Sequence, residues 1–229
     1  MTDLDLDVIT RNLPYLFGQG LMFTLRLTVL AAAGALALGT LLALMRLSTK
    51  RLVSGLAASY VNGMRTLPLI LIIFWFYFLV PYIAGWVMQA QRPIAVGGFT
   101  SALITFVLFE AAYFCEIIRA GIQSIASGQA QAGYALGMRY GQVMGSVILP
   151  QAFRNMTPLL LMQVIIIFQD TSLVYVLSLT DFLGAASNIA HRDGRLVEMF
   201  VFVALVYFVL SYTASRWVRR LERRLAVPR

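Results

Sequence analysis

The sequence predicts an all-α integral membrane protein of five transmembrane helices, with the N-terminus outside, the C-terminus cytoplasmic, and a long cytoplasmic loop between helices 3 and 4. Composition is the first reason. Of 229 residues, 60% are hydrophobic and 12% charged, with a mean hydropathy of +0.80. Soluble domains are about 45–50% apolar and about 25% charged, so a soluble globule of this composition would lack polar residues to cover its surface. The second reason is the presence of five apolar runs near the ~20 residues that a helix needs to cross a bilayer. The third is that basic residues accumulate on one side of those runs. Little chain is left for a soluble catalytic, nucleotide-binding or receptor domain.

In order, the runs cover residues 21–45, 67–87, 99–118, 156–179 and 199–217. The first is rich in Leu and Ala and contains Gly34 and Gly39, and the second carries Trp75, Phe76, Tyr77 and Phe78. A shorter stretch, 52–61, cannot span alone and reads as an amphipathic lead-in to the second run. Residues 1–20 form an external segment, 21–220 the transmembrane unit with its loop at about 119–155, and 221–229 a basic cytoplasmic tail. The start, Met1-Thr2-Asp3-Leu4-Asp5-Leu6-Asp7, is acidic, whereas a secretory signal begins with a basic region. The first run is therefore expected in the mature protein.

Five spans put the termini on opposite sides. One side receives Arg46, Lys50, Arg51, Arg65, Arg119, Arg139, Arg154, Arg216, Arg219, Arg220, Arg223, Arg224 and Arg229, which is 13 of the 18 basic residues, opposed only by Glu222. The other holds Arg11, Arg26, Arg92, Arg192 and Arg195 with most of the acids. The basic-rich side is assigned to the cytoplasm, and the tail suits anionic inner-leaflet lipid. The net charge of +8 is thus a topology signal, not a nucleic-acid signal. One cysteine, Cys115, and one histidine, His191, assemble neither an intrachain disulfide nor a zinc or haem site. No cofactor, metal or catalytic residue is assigned.

The loop between the third and fourth runs is rich in structure-forming residues. Gln129-Ala130-Gln131-Ala132-Gly133-Tyr134-Ala135-Leu136-Gly137 favours a helix, with Gly137 placed to close it in the left-handed conformation. A second helical stretch, 140–149, is expected to stop at Pro150. Small residues Ala132, Gly133 and Ala135 would admit another protein's surface. Two readings stay open on these grounds: an amphipathic hairpin resting on lipid, or a docking element.

The stretch Gln131-Ala132-Gly133-x3-Gly137-x9-Val147-Ile148-Leu149-Pro150 resembles the EAA loop of ABC-importer permease subunits, EAA-x3-G-x9-I-x-LP, with the spacing kept throughout. Gln131 stands for the family's Glu, Gly133 for its second Ala and Val147 for its Ile. Glu110-Ala111-Ala112-Tyr113, Glu116 to Ile125 with Gly128-Gln129, Arg65-Thr66-Leu67-Pro68-Leu69 and Pro150-Gln151-Ala152-Phe153-Arg154 are similar to the polar amino-acid branch. The run Phe168-Gln169-Asp170-Thr171-Ser172-Leu173-Val174-Tyr175-Val176-Leu177 looks like glutamate/aspartate permeases, although many relatives have Lys where Gln169 stands. Arg192-Asp193-Gly194 with Val197-Glu198-Met199 points the same way. The resemblance covers about residues 12–220.

The resemblance implies a transport subunit in a bacterial inner membrane, with the loop as a coupling helix docked on a separate ATPase dimer. It further implies a second permease subunit, identical or homologous, and a periplasmic or surface-anchored solute-binding protein. The coupling residues carried over are Gly128, Gln129, Gln131, Ala132, Gly133, Leu136, Gly137, Leu149 and Pro150. The chain itself has no G-x-x-x-x-G-K-[ST] phosphate loop, so the energy would come from a partner. If the family's acidic residue pairs with a base on the ATPase, Gln131 removes that pair. An exposed pair contributes only ~0–1 kcal/mol, which leaves docking to shape. Glutamine, histidine, arginine and cystine are the alternative cargoes.

Charges at membrane depth cost ~2.5–3.5 kcal/mol each on insertion scales and usually face a bundle interior or cavity. Glu110, Glu116 and Asp170 are such groups. Glu116 and Arg119 share a helix face and form a candidate structural pair. Gln169, Asp170, Thr171 and Ser172 either line the pathway or bond neighbouring backbone. Arg26 either attracts an anion or snorkels to headgroups. Bare carboxylates would repel an acidic substrate in a low-dielectric path. That leaves Glu110 and Asp170 to be protonated, to meet the substrate's ammonium, or to face away. An ion-gradient transporter is the other class, but no internal repeat of the kind common there is evident. A membrane enzyme would need convergent nucleophiles, bases or ligands that the chain does not offer.

Overall fold

A computed structural model describes residues 5–94 and 96–225. Asp3 of the acidic start and Arg229 of the basic tail lie outside the described residues. Within them every regular element is helical. These are α1 (Asp7–Tyr15), a π-helical turn (Leu16–Leu21), α2 (Met22–Arg46), α3 (Arg51–Thr66), α4 (Leu69–Val87), α5 (Gly98–Gln123), α6 (Ser127–Ala135), α7 (Tyr140–Gln142), a second π-helical turn (Val143–Ile148), α8 (Leu149–Asp170), a 3-10 segment (Thr171–Leu177), α9 (Phe182–Asp193) and α10 (Leu196–Leu225). Five stretches are long and apolar enough to cross a membrane: Asp7–Arg46, Leu69–Val87, Gly98–Gln123, Tyr140–Leu177 and Leu196–Leu225.

Helix α5 is the centre of the bundle, the most buried of the five. Its neighbour α2 presents Ala31, Ala35, Gly39 and Ala43, all buried and four residues apart. That spacing forms one smooth helix face, and small residues let two backbones approach within a membrane where no hydrophobic effect drives association. The approach is closest at Gly39, where a Cβ would lie 2.6 Å from Phe114 Cβ and 2.9 Å from the Ala111 carbonyl oxygen. Phe106, Phe109, Ile72, Ile73 and Ile167 complete the core among α4, α5 and α8. A second cluster joins α1, the first π turn, α9 and α10 through Val8, Leu16, Phe182, Ile189 and Met199. Large side chains left outside, including Trp75, Trp86 and Leu205, fit lipid or a neighbouring subunit better than water.

The structure departs from the sequence expectations at four places. Residues 7–20 are helical and run into α2 without a break, because Pro14 is followed by the π turn Leu16–Leu21. Position 20/21 is therefore not a structural boundary. Pro150 does not stop the second helical stretch of the loop. It sits in the first turn of α8, where a missing N–H costs little, and the π turn Val143–Ile148 before it absorbs the change of hydrogen-bond register. The fourth span bends into a 3-10 segment at Thr171 and ends at Ser178, at φ 57°. Finally, α9 was not anticipated. It is too short to span, and its start is capped by Asp181, whose carboxylate accepts from Leu183 N–H (3.0 Å) and Gly184 N–H (3.1 Å).

Candidate coupling hairpin and membrane-depth polar groups

Helix α6 ends in a Schellman-type closure. Gly137 N–H donates to Tyr134 O (2.9 Å), Met138 N–H donates to Gly133 O (3.1 Å), and Gly137 has φ 77°, a conformation that only glycine adopts without strain. The chain then reverses into α7 and the second π turn, which lies against α6. Gly133 corrects one expectation. It is buried, and a Cβ there would stand 2.9 Å from Val143 Cγ2. Its small size holds the hairpin closed and offers no surface to a partner. Gln131, Ala132, Leu136 and Gly137 are exposed, as are Gly128, Gln129 and Pro150, while Leu149 is half-buried. Leu136 is 83% exposed and Tyr140 68%, with Tyr134 beside them. Leu136 and Tyr134 lie between the apolar stretches Gly98–Gln123 and Tyr140–Leu177, where exposed apolar side chains favour a cover. Tyr134 and Tyr140 were not singled out from the sequence because single aromatics in a polar loop carry no periodic signal.

The two spans that flank the hairpin are tied to each other at its base. Asn155 Nδ2 donates to Ser124 Oγ (2.9 Å), which links α8 to the end of α5. About two turns earlier in α5, Glu116 pairs with Arg119 (2.7 Å) and also with Arg46 of α2. Arg46, 70 residues away in sequence, is the partner that sequence reading missed.

Deeper in the bundle, Glu110 is buried and its Oε2 accepts from Gln163 Nε2 at 2.8 Å. The four consecutive polar residues of the fourth span separate. Gln169 is exposed and faces a hollow of about 350 Å³ beside Tyr207, Ser211 and Ser215 of α10. Asp170 is half-buried on the side of Glu110 and Tyr113. The Thr171 hydroxyl is buried and donates to Phe168 O (2.7 Å). Ser172 is half-buried. Arg65 lies over the Tyr113 ring, 5.3 Å from its centroid. Arg26 is exposed and lines a separate hollow of about 430 Å³ with Gly18, Gln19, Phe23 and Phe99. Gly34 faces Val107 and Gly39 faces Phe114, which sets Glu110 level with about residue 36. Arg26 therefore stands about 15 Å further along α2, at 1.5 Å per residue. The structure does not bring Arg26 together with the two carboxylates.

Residues 16–227 match the family described as binding-protein-dependent transport system inner membrane component. The chain belongs to that family. It is 50% identical over 226 residues to the glutamate/aspartate import permease protein GltK of Escherichia coli O6:H1 (strain CFT073), covering 99% of this chain and 100% of the relative. It is 33% identical over 210 residues to the probable glutamine ABC transporter permease protein GlnM of Bacillus subtilis (strain 168), covering 92% and 93%. Among solved structures, the crystal structure of an amino acid ABC transporter with histidines superposes with a TM-score of 0.87 at 30% identity, covering 98% of this chain and 100% of that one. An inward-facing structure of the MetNI methionine ABC transporter superposes at 0.71 with 15% identity, which shows the shared fold alone. The helical bundle described above is thus the permease fold of this transport family.

Proposed function

We propose that the chain is the permease subunit of an ATP-driven importer for glutamate and aspartate in the bacterial inner membrane. The observation that carries this reading is the 50% identity, along the full length, to a glutamate/aspartate import permease. Two copies, or this chain and a homologue, enclose the path. An ATPase dimer binds on the cytoplasmic side and a solute-binding protein delivers from outside. The N-terminus lies outside and the C-terminus inside, as the 13 basic residues of one side support. The division into an external segment 1–20, a transmembrane unit 21–220 and a basic tail 221–229 is retained as a functional one.

In this reading the α6 hairpin is the coupling element. Gln131, Ala132, Leu136 and Gly137, with Gly128 and Gln129, form its ATPase-facing side. Gly133, Leu149 and Pro150 fix its shape against α8. Movement of the hairpin passes to the flanking spans α5 and α8, which Ser124–Asn155 ties together, and on to α2 through Glu116–Arg46. Asp170 lines the path, Glu110 stands behind it with its carboxyl group on Gln163, and Arg26 stands nearer the outer end.

Uptake of glutamate, aspartate, glutamine, histidine, arginine and cystine by Asp170→Asn and Arg26→Gln tests the path. Loss of rate or a change of preference is expected for Asp170→Asn, with weaker acidic-substrate uptake for Arg26→Gln. Unchanged rate and selectivity in both would remove these residues from the path.

A further inference from the structure

Five arginines fall within nine residues at the end of α10, namely Arg216, Arg219, Arg220, Arg223 and Arg224, against one carboxylate, Glu222. All five are exposed. Among the described residues none of them has an ion-pair partner. Arg216 donates to Tyr212 Oη at 3.0 Å. The spacing of Arg216, Arg219, Arg220 and Arg223 puts them on one helix face, where they alone line a hollow of about 240 Å³. Beside it, sharing Arg220, lies a second hollow of about 470 Å³. Its wall is Leu161 of α8 with Trp217, Val218 and Leu221, and Arg220 and Arg224 complete its lining.

Depth decides what can fill this pair of hollows. Helix α10 has 30 residues, about 45 Å at 1.5 Å per residue, against a hydrocarbon core of ~30 Å. Its apolar part ends near Trp217, a residue type enriched at membrane interfaces. Unpaired guanidinium groups therefore emerge at headgroup level, directly over an apolar slot between α8 and α10. Guanidinium groups bind phosphate oxygens in bidentate fashion, and the apolar slot beside them suits an acyl chain, which a bare ion lacks.

We propose that the end of α10 is a built site for one anionic phospholipid. Its phosphate is held by Arg220 and Arg224 with help from the neighbouring arginine face. One acyl chain lies along Leu161, Trp217, Val218 and Leu221. The assignment does not depend on the cargo or on the coupling partner.

The test is native mass spectrometry of the full-length chain in neutral detergent, with whatever subunits co-purify. It is titrated with dioleoyl phosphatidylglycerol, dioleoyl phosphatidylcholine or inorganic phosphate. Phosphatidylglycerol should be retained in preference to phosphatidylcholine. Arg220→Gln with Arg224→Gln should weaken retention by roughly 25-fold, from about fivefold per arginine near an anionic headgroup. Trp217→Ala should also weaken it. Removal of an equally exposed basic pair elsewhere, Lys50→Gln with Arg51→Gln, should not. Three results would overturn the site: equal retention of both lipids, equal loss in the Lys50/Arg51 variant, or displacement of the lipid by inorganic phosphate. Burial of this face by a second copy or a co-purifying subunit, with no lipid retained, would do the same.

Discussion

The side-chain amide of Gln163 donates a 2.8 Å hydrogen bond to the buried carboxyl group of Glu110 and so ties α8 to α5 in the middle of the bundle. A buried polar group without a partner costs about 1–3 kcal/mol, whereas exchanging both partners for apolar groups of similar shape is nearly neutral. Gln163→Leu is therefore expected to destabilise the detergent-solubilised protein by that amount. Glu110→Gln, which keeps an acceptor, should cost much less, and the double change to leucine should recover most of the loss. Thermal unfolding of the three variants checks this, and a Gln163→Leu variant as stable as the parent would show that the contact does not tie the helices.

Gly137 is exposed at φ 77°, a region that aspartate tolerates better than most residues. Gly137→Asp should leave the bundle and membrane insertion intact, straining only the closure of α6, while placing a charge on the proposed ATPase-facing tip; Gly137→Asn, strained alike but uncharged, should lower transport less. Transport should fall with the membrane-embedded protein level unchanged. Normal uptake together with normal ATPase binding would refute the coupling role.

Gly133 gives the complementary experiment, since its space is filled from within the chain. Gly133→Val should push α6 off Val143, lowering uptake and loosening the hairpin to proteolysis. Adding Val143→Ala should restore both by returning the volume. Failure of the second change to rescue would mean that the clash is not what limits the first.

Asp181 caps α9, outside the spanning segments, and burial raises its carboxyl to about pKa 7 despite two backbone N–H donors. Between about pH 4 and 7 the native state keeps a proton that the unfolded chain has released, so this group's contribution to stability falls as pH rises through that window. Asp181→Asn, which can still accept from the backbone, should flatten the slope and gain stability at pH 7 and above. Asp181→Ala should lose about 1 kcal/mol of capping. Melting temperature against pH separates the two, and an unchanged slope in Asp181→Asn would contradict the assignment.

The spans were legible because a membrane demands long apolar runs, and a run of twenty residues survives any error of boundary. Gly137 was legible because helix closure has a local chemistry. Other features depend on contacts that no window of sequence contains. Arg46 reaches Glu116 across 70 residues, and Gln163, a lone amide in an apolar run, gives no hint that it meets Glu110. Pro150 reads as a stop, yet the π turn before it lets the helix continue. Gly133 reads from the sequence as a surface for a partner, but only its packing against Val143, ten residues on, shows that the space is filled from within the chain. Helix α9 was missed because it is too short to span, although its Asp181 cap and Gly194, at φ 68°, mark both ends.

The most direct test of the account is glutamate uptake into proteoliposomes carrying the chain with the subunits that co-purify with it, an ATPase among them, and the proposed solute-binding protein. Uptake should require ATP hydrolysis and should persist when an ionophore dissipates ion gradients. Uptake that continues without ATP and collapses with the ionophore would contradict the account and place the chain among gradient-driven transporters.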